Sequence, residues 1–96
     1  MRYPKRESAN LELREQGDDG FLKTVSAYAN YNDGRIVFGV RDDGTIIGIS
    51  DEGKLRLQIE NKINDSITPR PRFIMKREEI DGKVLLVLFV FKGKNP

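Results

Sequence analysis

The apolar positions of this 96-residue chain change period several times, and each change marks an element. From Ala9 to Arg14 they alternate, with Leu11 and Leu13 on one face and Asn10, Glu12 and Arg14 on the other, as in a short half-buried strand. Gln16 to Gly20 is a turn, and Asp18 or Asp19 is placed to cap the next element. Over Phe21–Tyr31 the residues Phe21, Leu22, Val25, Tyr28 and Ala29 recur at helical spacing, which predicts an amphipathic helix. Asp33-Gly34 is a turn signal that ends it. Arg35–Val40 and Thr45–Ile49 are β-rich runs joined by Arg41-Asp42-Asp43-Gly44, a hairpin with glycine where a positive φ is needed. Ser50 or Asp51 can cap a second helix over Glu52–Ile67, where Leu55, Ile59, Ile63 and Ile67 form an i, i+4 ladder. Pro69 and Pro71 stop that helix and hold Arg70 extended. Arg72–Glu79 and Lys83–Phe91 make a second hairpin around Asp81-Gly82. The run Val84–Phe91 does not alternate, so it is expected to be a central strand covered on both faces, with Val87 and Phe89 fully buried.

The order β-α-β-β-α-β-β predicts an α+β fold: a single mixed sheet of about five strands with two helices, the first helix forming a right-handed crossover. One domain over residues 1–96 is expected at this length, with a core that needs no metal or disulfide. Lys92-Gly93-Lys94-Asn95-Pro96 is turn-like and comes directly after the core strand, so the chain reads as the N-terminal part of a longer protein.

Composition narrows the chemistry. There is no cysteine and no histidine, which removes disulfides, thiolate metal sites and imidazole catalysis. Chemistry is left to carboxylates, amines, hydroxyls and the backbone. The longest apolar run, Val84–Phe91, is eight residues, far short of the ~20 that span a bilayer, so no membrane partner is expected. Arg2, Lys5 and Arg6 precede no apolar stretch of the kind a secretory signal has, and a cytoplasmic location is the expectation.

The formal net charge is only +2, but it is unevenly spread. Residues 24–53 carry two basic and five acidic groups, and residues 54–96 carry ten basic and five acidic groups. Arg70, Arg72, Lys76 and Arg77 fall within eight residues. Such a cluster attracts phosphate, or is an ordinary solvated surface; composition alone leaves both open.

Two segments carry more specific information. One is Glu7-Ser8-Ala9-Asn10-Leu11-Glu12-Leu13-Arg14; the other is Lys23–Ile49, KTVSAYANYNDGRIVFGVRDDGTIIGI. They resemble the Schlafen AlbA-like family, whose pattern is roughly E-S-x-x-L-E-F-K followed by K-T-V-x-A-F-A-N-x-x-G-G-x-I-x-I-G-V-x-D-D-G-x-I-x-G. The resemblance implies a nucleic-acid-binding module, DNA being the favoured polymer, placed at the front of a bacterial transcription regulator with further domains behind it. A homodimer is also open. This chain has Asp33-Gly34 where the family usually has two glycines, which sets a negative charge at that turn.

In relatives of this family that cleave RNA, the E-S-x-x-x-E and G-V-x-D positions supply an acidic triad, which the resemblance carries onto Glu7, Glu12 and Asp42. Divalent cations prefer hard oxygen ligands, so grouped carboxylates suit a metal-dependent nuclease. The same residues also read as the polar face of a strand and as turn chemistry. No resident metal or cofactor is expected; Mg²⁺ or Mn²⁺ enters only with the nuclease alternative. For nucleic acid, Arg14, Lys23, Arg35, Arg41, Arg70, Arg72, Lys76 and Arg77 are the candidate phosphate contacts, which would give salt-sensitive and largely non-specific affinity. Tyr28 and Tyr31 are candidate stacking residues, Tyr28 equally suiting the core. Asn30 reads as a cap at the helix end or as a ligand contact. No phosphate-cradling G-x-G-x-x-G or G-x-x-x-x-G-K-[ST] is present, so ATP binding is not expected, although the family was once described as a divergent ATPase. A third alternative is a protein-interaction or dimerisation module.

Overall fold

The computed structural model describes residues 2–93. Six elements are arranged in the order β1 (Leu11–Arg14), α1 (Phe21–Tyr31), β2 (Gly34–Phe38), α2 (Glu52–Ser66), β3 (Arg72–Ile80) and β4 (Lys83–Phe91). The four strands form one mixed sheet in the order β1-β2-β4-β3. β1 and β2 run parallel around α1, while β2–β4 and β3–β4 are antiparallel. The fold is α+β with two helices and four strands, not about five.

The missing strand is Thr45–Ile49. Gly39, Gly44 and Gly48 all take positive φ, at 104°, 92° and 82°, and bend the chain at both ends of the segment. The Gly39 carbonyl accepts from both Ile47 and Gly48, which closes a tight loop in place of a ladder. Only isolated bridges remain, Val40 to Ile46 and Arg2 to Thr45.

Both helices lie on one face of the sheet. Phe21, Val25 and Tyr28 of α1 and Leu55, Ile59 and Ile63 of α2 pack against Ile36, Phe38, Leu86, Leu88 and Val90. Phe21 and Phe38 meet edge-to-face with centroids 5.7 Å apart, an arrangement worth about 0.5–1.5 kcal/mol beyond its burial. Alternation sends Leu11, Leu13, Val37, Leu85 and Val87 to the opposite face, where Tyr3, Val40 and Ile46 cover them. β4 is thus central and double-covered, as its unbroken apolar run predicts. Phe89 is the exception: it is only half-buried, because the segment that shields Val87 does not extend over it.

Local signals divide. Asp51 caps α2, its carboxylate accepting the Lys54 N–H at 3.0 Å. α1 has no side-chain cap; Gly20 is its N-cap, and Asp18 instead accepts the Gly20 N–H at 3.2 Å before the helix begins. Asn32, not Asn30, closes α1. Asp81-Gly82 turns with both residues at positive φ. Of the terminal turn, Lys94, Asn95 and Pro96 lie outside the described residues.

Candidate functional site

Two groups of polar side chains stand out, and strand alternation puts them on opposite faces of the sheet. The first is acidic. Glu12 belongs to the polar face of β1, so it points toward α1, where its carboxylate accepts the Thr24 hydroxyl at 2.7 Å and pairs with the Arg14 guanidinium. Arg14 continues to Asp18 at 3.0 Å. Glu7 lies along the free edge of β1 and accepts the Leu13 N–H at 3.0 Å, satisfying a backbone donor that has no strand partner there. Of the two turn aspartates, Asp43 is used by its own loop, accepting the Thr45 N–H at 2.9 Å, and this hydrogen bond holds its carboxyl below the usual range. Asp42 is left to join Glu7, Glu12, Arg14, Glu15 and Asp18 around a cavity of about 640 Å³.

The three carboxylates read from the sequence therefore share one concavity. They are not gathered around an ion position: among the described residues no three acidic side chains are grouped closely enough to hold a metal. In this arrangement Glu7 and Glu12 serve the protein itself, accepting from Leu13, Thr24 and Arg14. Tyr28 reports their proximity. Burial first, then the charges of Glu12 and Glu7, push its hydroxyl up to about 12. Tyr28 is core, as its place on the helix stripe implies, and Tyr31 is 74% exposed.

The basic residues do not form one patch. Period-two alternation along β3 splits the run from Arg70 to Arg77. Arg77 falls on the helix side, 3.7 Å from Glu52 of α2. Arg70, just before the strand, lies over the Phe73 ring at 5.0 Å and 3.9 Å from Glu60. Arg14 is held in the acidic concavity, Arg41 is 3.9 Å from Glu15 in the turn, and Lys23 is exposed on α1 beside Glu7 and Glu12.

Arg35, Arg72 and Lys76 take the other face. Register sets Arg35 of β2 opposite Phe89 of β4, which in turn is opposite Ile74 of β3; Arg72 is opposite Phe91 and Lys76 opposite Val87. Residues directly opposite share a face. This end of the sheet bears no helix, and a concavity of about 350 Å³ opens there, lined by Lys5, Arg6, Arg35, Phe89 and Phe91 among others. The Lys76 ammonium sits over the Phe89 ring, 5.8 Å from its centroid. Asp33 also lines the concavity, but its carboxylate is engaged by the Lys92 N–H at 2.6 Å. Among the described residues, none of Lys5, Arg6, Arg35, Arg72 and Lys76 has a carboxylate within ion-pair distance.

Lys5, Arg6 and Phe89 are not among the candidates the sequence supplied. Lys5 and Arg6 precede β1, where no periodicity tells which way a side chain points. Phe89 lies inside an unbroken apolar run, which hides that its row is left open.

Comparison with known proteins agrees with the motifs. The family model for Schlafen, AlbA_2 matches residues 5–96. The chain belongs to the Schlafen AlbA_2 family. An uncharacterized ATP-binding protein of Ureaplasma parvum serovar 3 is 30% identical over 97 residues, covering 85% of this chain and 27% of that protein. The N-terminal domain of a protein from Nitrosomonas europaea, named for its relation to the ATP-dependent DNA helicase RecG, superposes with a TM-score of 0.74 at 27% identity. That match covers 92% of this chain and 66% of the solved one. This AlbA_2 domain thus spans about a quarter of the curated relative and just under two thirds of the solved domain. Among the described residues no helix is long and apolar enough to cross a membrane.

Proposed function

We propose that this AlbA_2 domain binds nucleic acid, with DNA the favoured polymer, as one part of a larger bacterial regulator. The observation that carries the reading is a group of five cations on the helix-free face, Lys5, Arg6, Arg35, Arg72 and Lys76, none of which has a carboxylate within ion-pair distance among the described residues. Cations already paired with α2 lose little solvent-exposed charge to a phosphate, whereas unpaired ones are free to release counterions from the polymer. The name of the Nitrosomonas relative supports DNA.

The test uses two variants of equal charge. Arg72→Ala with Lys76→Ala, and Arg70→Ala with Arg77→Ala, each take the formal net charge from +2 to 0. Labelled DNA is titrated at two salt concentrations. The parent should lose affinity steeply with salt, at about 0.7–0.9 log units per log unit of salt for each phosphate contact. The Arg72/Lys76 variant should bind more weakly with a slope shallower by about 1.5, and the Arg70/Arg77 variant should stay close to the parent. Affinity that ignores salt, or equal losses in the two variants, would remove the assignment.

The second reading, a carboxylate nuclease, draws on the shared concavity of Glu7, Glu12 and Asp42. Its weakness is electrostatic: of the candidate cations near these carboxylates, Arg14 and Arg41 are already paired with acids, and among the described residues only Lys23 is left without an ion-pair partner there. RNA cleavage in Mn²⁺ that is lost in Glu12→Gln would reverse the order of the two readings.

A further inference from the structure

The open row on the helix-free face has a composition that phosphate binding alone does not explain. Arg35, Phe89 and Ile74 lie side by side across three strands, and Phe91 with Arg72 form the next row. Ile74 is 45% exposed and Phe89 half-buried, so apolar surface faces solvent between Arg35, Arg72 and Lys76, while the acids of this face, Glu78 and Asp33, are engaged by the Tyr3 hydroxyl and the Lys92 N–H. A duplex presents phosphates and groove edges to such a surface and keeps its base faces stacked inside. An unpaired strand offers both phosphates and free base faces. Aromatic rings in a basic groove match that combination, because every base has a π face.

We infer that the helix-free face is a docking surface for single-stranded nucleic acid, with Phe89 as the stacking platform. The inference rests on the nucleic-acid reading above and goes beyond it by naming the strand state and the ring. Lys76 already holds a cation over the Phe89 ring. An incoming base takes that position on the ring, and the displaced ammonium meets the phosphate beside it. Arg35 and Arg72 flank the ring row, and Lys5 and Arg6 extend the cationic surface along the N-terminal segment. A second copy of the chain is a poorer occupant of this face: it would bring the same five cations against themselves, and like charges juxtaposed across an interface are unfavourable.

The test uses the whole chain with a fluorescein-labelled dT12 and a 12-base-pair duplex of mixed sequence. The single strand should bind more tightly. Phe89→Leu keeps an apolar side chain of similar size at a half-buried position and removes the ring; it should weaken dT12 binding about tenfold and leave duplex binding nearly unchanged. Phe89→Trp supplies the only tryptophan of the chain, and dT12 should quench its emission by stacking. Circular dichroism melting of both variants separates loss of binding from loss of fold. Salt-sensitive binding of both ligands with no effect of Phe89→Leu would overturn this inference and leave the phosphate reading intact. Binding of neither ligand would overturn both. A concentration-dependent dimer that Phe89→Leu dissociates would assign the face to a second copy instead.

Discussion

At Gly34 the requirement for glycine is spatial. Its φ is not positive, yet a Cβ there would lie 2.5 Å from the Tyr28 ring, whose side chain is held in the core. Gly34→Ala should therefore destabilise by about 1–3 kcal/mol through overpacking, visible as a melting point lower by several degrees. Tyr28→Leu in the same chain should recover part of the loss, because the two positions are coupled through one contact. Full additivity would show that the glycine serves something other than the ring. The sequence marks this glycine as a turn signal, since a Gly after Asp reads that way from local chemistry; the ring that excludes a Cβ is six residues upstream and needs the folded helix to reach it. The neighbouring aspartates of the other turn behave in the same way. Asp42 and Asp43 are alike in sequence, and only the Thr45 hydrogen bond shows that one serves the loop and the other faces the acidic cavity.

Elements with strong periodicity stand where their pattern puts them. α1 occupies Phe21–Tyr31 as its stripe predicts, and α2 ends at Ser66, one residue short of the expected Ile67. Thr45–Ile49 has strand composition but no partner able to track three bends in ten residues, so composition overstates it. β3 shows how far alternation reaches: Arg72 and Lys76 share parity, and Arg77 does not. That separation is written in the sequence, but which parity faces the helices is fixed only once Met75 and Phe73 pack against them. Capping is equally readable at α2. Asp51→Ala should cost about 1 kcal/mol, and Asp51→Asn, which keeps the acceptor, should cost much less. Thermal denaturation of the two variants settles it; equal losses would mean that the Lys54 N–H bond does not hold the helix start.

For the whole molecule, a two-layer arrangement decides the electrostatics. Both helices cover one face of the sheet, and α2 brings Glu52 and Glu60 within 3.7 Å of Arg77 and 3.9 Å of Arg70. The opposite face has no helix to bring such acids; of its own carboxylates, Glu78 accepts the Tyr3 hydroxyl at 3.4 Å and Asp33 accepts the Lys92 N–H, so among the described residues Arg35, Arg72 and Lys76 have no carboxylate within ion-pair distance beside Phe89. The carboxylates Glu7, Glu12 and Asp42 share the cavity at the β1 edge, Glu7 and Glu12 also bordering α1. Net charge hides this division, because the balance of +2 is a sum over two faces of different character. The central claim is that nucleic acid docks on the helix-free face. A ¹H–¹⁵N correlation spectrum of the chain titrated with dT12 tests it most directly. The amides of Arg35, Ile74, Lys76 and Phe89 should move together and saturate, while those of Glu12, Thr24 and Asp42 stay in place. Shifts centred on the acidic cavity, with the Phe89 row unmoved, would contradict the account.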